Sequence, residues 1–155
     1  MSSIFSWLKE LFMGEKRPTR IKIRLNMAKQ ASCWNYDIEA GDTPSDLYVK
    51  PGNKIDFPKG QPTSVIEFHL HGQAGQKLDF DLTDPIWVKA GSCPTTKCGV
   101  PNEISVLSSS TKDRLDVQNR NLQQAEFHYR LNFVDSAGNK HFWDPIIRNG
   151  GDGGP

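Results

Sequence analysis

A chain of 155 residues, 36% hydrophobic and 24% charged, is long enough to bury one core without disulfides and reads as one folded domain. Nineteen Lys and Arg against eighteen Asp and Glu leave a net charge of +1, too even a balance to build a general field for nucleic acid. Apolar runs of only a few residues exclude a transmembrane helix, and three cysteines, an odd number, speak against a disulfide framework.

Ser2 to Met13 predicts an amphipathic helix. Ile4, Phe5, Trp7, Leu8, Leu11 and Phe12 fall on one arc at helical spacing, while Ser3, Ser6, Lys9 and Glu10 fall opposite. Lys9 and Glu10 break the apolar stretch and no basic leader precedes it, so the segment does not read as a secretory signal, and a cytoplasmic location is expected. A helix this short needs a cover for its apolar face. The expected covers are its own domain, a protein partner or second copy of the chain, or peripheral contact with a membrane. Residues 1–15 are assigned to this helix, 16–19 to a charged linker, 20–149 to a β-domain and 150–155 to a disordered tail.

Arg20 to Met27 alternates Ile21, Ile23, Leu25 and Met27 with Arg20, Lys22, Arg24 and Asn26, the period of a half-buried strand with a basic outer face. No aromatic residues interleave with those cations as a nucleic-acid stacking platform requires. Ala28 to Asp46 has no assigned element, and its Asp-Thr-Pro reads as loop. Short strands follow at Leu47–Val49 and Lys54–Phe57. Ser64 to His71 alternates again, with Ile66, Phe68 and Leu70 on one face and Val65, Glu67, His69 and His71 on the other. Further strands are expected at Lys77–Leu82, Ile86–Val88, Glu103–Leu107 and Arg114–Val117, separated by Gly- and Pro-bearing turns.

The largest aromatic content lies in the closing hairpin. Phe127, Tyr129, Leu131 and Phe133 alternate with Glu126, His128, Arg130 and Asn132. Asp135–Asn139 supplies a turn, and Lys140 to Ile147 returns, interrupted at Asp144-Pro145 because proline cannot donate to a ladder. Many short strands with one helix at the start predict a mainly β, antiparallel Greek-key sandwich, immunoglobulin-like or cupredoxin-like, with a barrel as the alternative.

The segments Phe127–Phe133, Asp135–Asn139 and Asp144-Pro145-Ile146-Ile147-Arg148-Asn149, with Leu115-Asp116-Val117-Gln118-Asn119-Arg120-Asn121 upstream, resemble the ending of the DP-EP family of small bacterial proteins. The likeness spans the last third of the chain. It implies a compact β-sandwich and carries no catalytic residue.

Among chemistry-bearing residues, His69 and His71 stand two apart on one strand face, a chelating spacing. With His128 or a loop cysteine they form a candidate Zn or Cu site, weighed against a solvated sheet face. Cys93 and Cys98 share a loop and read as free thiols rather than a disulfide or zinc pair. Asp144 is expected to accept backbone hydrogen bonds in its turn. No nucleophile triad, Walker or dinucleotide motif is present, so the sequence favours a non-catalytic binding module over an enzyme.

Overall fold

The computed structural model describes residues 19–73 and 76–151. The expected N-terminal helix, with Ile4, Phe5, Trp7, Leu8, Leu11 and Phe12, lies outside the described residues.

The chain is mainly β, with two sheets packed in sandwich-like fashion. One sheet holds β1 (Thr19–Gln30), β2 (Cys33–Ala40), β5 (Ser64–Gly72), β8 (Ile104–Val106) and β9 (Arg114–Asn119), in the order β2-β1-β5-β9-β8. The other is built on β10 (Ala125–Val134). Along it run β11 (Lys140–Trp143), β10, β12 (Ile146–Gly151), β4 (Lys54–Pro58) and β3 (Val49–Lys50); β6 (Asp79–Phe80) and β7 (Ile86–Ala90) pair with β10 as well. A 3₁₀ turn at Pro44–Leu47 closes one side, where the buried Ser45 hydroxyl accepts the Lys22 N–H at 2.9 Å.

Strand alternation places the core as the sequence predicts. Ile21, Ile23 and Leu25 from β1, Ile66 and Phe68 from β5, and Phe127, Tyr129, Leu131 and Phe133 from β10 are fully buried in one cluster spanning both sheets. Glu126 is exposed, and His128 and Arg130 are partly so, as expected for the outward face.

Three expectations need correction. The sheets are mixed, not antiparallel: β1 runs parallel to β5, and β12 runs parallel to β4. Alternation fixes which face is buried but is the same for both pairing directions. The unassigned stretch after Ala28 holds a full strand, β2, in register with β1 from Ile23↔Ala40 to Gln30↔Cys33. Ala31 takes a positive φ of 54° in the tight connection between them. Last, the tail prediction for 150–155 fails at its start, because β12 extends to Gly151 and Gly150 is buried. Gly150 has φ +71°, and a Cβ there would meet Gln124 Cα at 2.8 Å, so the position requires glycine.

A polar network ties the two sheets together. The buried side-chain amides of Asn119 (β9) and Asn149 (β12) exchange two hydrogen bonds at 2.7 Å, and Asn149 Nδ2 also donates to Glu103 Oε1 at 2.9 Å. The same Glu103 oxygen accepts the Leu122 and Gln123 N–H groups. Asn121 Nδ2 donates to the carbonyls of Pro58 and Gln61, while its Oδ1 accepts the Gly150 N–H. The Asn-Arg-Asn and Arg-Asn-Gly runs are thus structural connectors. Arg148 also forms an ion pair with Asp56, a carboxylate 2% exposed.

Candidate functional site

The most distinctive surface lies where β2 of one sheet faces β11 of the other. Among the described residues, β2 pairs only with β1 and β11 only with β10, so both present a strand edge on the same side of the sandwich. Alternation along β2 turns Trp34, Tyr36 and Ile38 toward the second sheet. The Ile38 N–H faces the open edge and is satisfied by Asn53 Oδ1 at 3.0 Å. By the same period, the main-chain groups of Trp34 and Tyr36 face that edge farther along.

Tyr36 stacks on Phe133 at 5.4 Å and on Trp143 at 5.6 Å between centroids, and burial raises its hydroxyl to about 12. Trp34 meets the His141 ring edge-on at 6.0 Å. Together with Ser32, Cys33, Lys140 and Phe142, Trp34, Tyr36 and His141 line a cleft of about 310 Å³. Strand alternation turns His141 and Trp143 toward this cleft and the Phe142 ring, 51% exposed, to the outer face of the second sheet. There the Arg130 guanidinium lies 3.7 Å from the Phe142 ring and 4.1 Å from the Trp87 ring.

The polar groups of this cleft already have partners. Lys140 Nζ contacts Asp81 Oδ2 at 2.7 Å, and His141 Nε2 contacts Asp135 Oδ2 at 3.0 Å. Asp135 also accepts the Ala137 and Asn139 N–H groups, which organises the turn the sequence predicts. The His141 contact and these N–H donors lower its carboxyl from 3.8 to about 2. A carboxylate held low in the folded chain contributes stability above its unfolded value and loses it as pH falls through the folded value. Asp135→Asn is therefore expected to melt at a lower temperature than the parent chain near neutral pH. The gap should close as pH falls from 3.8 toward about 2. Melting curves across that range check it, and a gap unchanged down to pH about 2 rules the linkage out.

The structure separates the predicted metal ligands. His69 and His71 lie on the outer face of the first sheet, and His128 lies on the outer face of the second. His69 Nε2 contacts Glu67 Oε1 at 3.0 Å, and Arg20 contacts the other Glu67 oxygen at 2.7 Å. Burial pushes the Glu67 carboxyl up, but these two partners outweigh it and hold it below its usual range. Burial pushes the His71 imidazole down, aided by the charges of Arg24 and His69. With Lys22, Arg24 and Gly41, the two histidines border a groove of about 160 Å³. Among the described residues, no three His, Cys, Asp or Glu side chains are grouped to hold a metal ion.

His128 has a different neighbour. Its Nδ1 lies 3.6 Å from Cys93 Sγ. Cys93 and Cys98 are both free thiols. Asp144 departs from its expected role, because its Oδ1 is buried with no hydrogen-bond partner among the described residues. Burial raises its carboxyl, while the charges of Arg130 and His128 pull it down.

Spacing in the sequence does not mark Trp34, Tyr36 and Trp143 as a site. The available signal was the alternation of Trp34, Tyr36 and Ile38 with Asn35, Asp37 and Glu39. No protein-family model matches this chain, and no curated protein matches it.

Proposed function

We propose that the chain is a non-catalytic binding module that receives an extended polypeptide segment, bearing one large apolar side chain, along the open side between β2 and β11. Support comes from the juxtaposition of two strand edges with a cleft walled by Trp34, Tyr36 and His141. An incoming strand hydrogen-bonds to the exposed main chain of β2, and the cleft takes its apolar side chain. Because Asp81 already pairs with Lys140 and Asp135 already contacts His141, the cleft favours an apolar group over an anion. The two parallel strand pairs depart from an all-antiparallel immunoglobulin plan and support a cupredoxin-like sandwich. The DP-EP resemblance agrees with a sandwich and leaves the ligand open.

Panning short random peptides on the full chain tests this reading. Enrichment is expected for extended sequences with a large apolar residue. Their affinity should fall at least about tenfold, or about 1.4 kcal/mol, in Trp34→Ala and stay unchanged in Phe142→Ser, whose ring lies on the outer face. Binders indifferent to Trp34→Ala, or no enrichment, overturn it. A Trp34→Ala chain that melts where the parent does separates lost binding from unfolding.

A further inference from the structure

On the outer face of the second sheet, away from the aromatic cleft, the loop after β7 is clamped onto β10. The Gly91 N–H donates to the Glu126 carbonyl at 2.9 Å, and the Val88 N–H donates to the Cys98 carbonyl at 3.1 Å. Pro94 is buried, while Cys93 beside it is exposed. This anchoring sets Cys93 Sγ 3.6 Å from His128 Nδ1. The opposite ring nitrogen, Nε2, lies 4.0 Å from Glu126 Oε2, and the other Glu126 oxygen lies 3.4 Å from Lys54 Nζ. The His128 side chain is only 16% exposed. Lys89 stands opposite His128 in the β7–β10 register.

We propose that Cys93 is a hydroperoxide-reactive thiol, with His128 as its base. The Cys93 contact fits the tautomer whose Nδ1 lone pair faces the thiol, with the ring proton on Nε2 on the Glu126 side. The Cys93 proton passes to Nδ1, and the thiolate attacks one oxygen of a hydroperoxide. The sulfur–oxygen bond forms as the oxygen–oxygen bond breaks. The departing hydroxide or alkoxide takes the proton back from His128 and leaves as water or alcohol. Cysteine is oxidised by two electrons to the sulfenic acid, and the peroxide is reduced by two. An imidazole in contact gives an accessible thiol a base to take its proton. Cys98 shares the loop, so a sulfenic acid at Cys93 has a second thiol within the same segment.

Cys33 is an exposed thiol on the same chain and serves as an internal reference. The test treats the full chain at neutral pH with limiting iodoacetamide and maps the alkylated peptides by mass spectrometry. Cys93 is expected to react at least about tenfold faster than Cys33, and to fall to the Cys33 rate in His128→Asn. In Cys98→Ser, which removes the nearby thiol, dilute hydrogen peroxide should place a dimedone-trappable sulfenic acid on Cys93 ahead of Cys33. Equal rates for Cys93 and Cys33 in the unaltered chain overturn the proposal. So does a Cys93 rate unaffected by His128→Asn while Cys33 reacts as before.

Discussion

Phe133→Ala is expected to destabilise the fold by about 3–5 kcal/mol. Phe133 is fully buried, and its ring stacks on Tyr36 at 5.4 Å and on Phe80 at 5.5 Å. These neighbours come from β2 and β6, so the ring joins the edge strand of one sheet to a short strand of the other. Truncation removes its buried apolar surface and leaves a cavity that surrounding main chain cannot fill, since β10 is paired on both sides. In a domain of this size, each 1 kcal/mol moves the midpoint by roughly 2–4 °C, so the melting temperature should drop by about ten degrees. Urea unfolding followed by tryptophan fluorescence measures it. A loss below about 1 kcal/mol would mean the aromatic stack contributes little beyond what relaxation recovers.

Asn149→Leu is expected to cost about 2–4 kcal/mol, although it adds an apolar side chain to a buried site. Burying a side chain of similar size usually stabilises, but here polar partners are left behind. Asn119 Nδ2 loses the carbonyl oxygen it donates to, and Glu103 Oε1 loses one of its three donors. A buried donor without an acceptor carries its full desolvation cost. The double variant Asn119→Leu with Asn149→Leu should then cost less than the sum of the two single changes, because each removes the group the other strands. Chemical denaturation of the three variants decides it. Strict additivity would show that the amide pair is not coupled.

The sequence was most readable where one side of a strand meets the core and the other meets water. In β10 the alternation from Glu126 to Phe133 placed all four apolar residues correctly, and proline chemistry located the break at Asp144-Pro145. Reading failed where burial is partial. β2 places Trp34 and Tyr36 at half-covered positions beside an open edge, and the nearby Asp-Thr-Pro outweighed their period. Strand partners were not legible either, because the side-chain alternation of β1 is compatible with a parallel or an antiparallel neighbour. The histidine pair was visible as spacing, but the sheet opposite it was not. The meeting of Cys93 with His128 spans 35 positions and depends on how one loop folds back over β7.

The position of β12 has a consequence for the order of assembly. It is the last described strand, yet it lies between β10 and β4 and runs parallel to the latter. During synthesis, β4 has β3 on one side but waits for its other neighbour some ninety positions downstream, as in the pairing of Asp56 with Arg148. Closing so long a loop is entropically costly before any contact offsets it. The second sheet therefore cannot be completed on a partly made chain, and a nascent chain exposes the flanks of β10 and β4 until Ile146–Gly151 has left the ribosome.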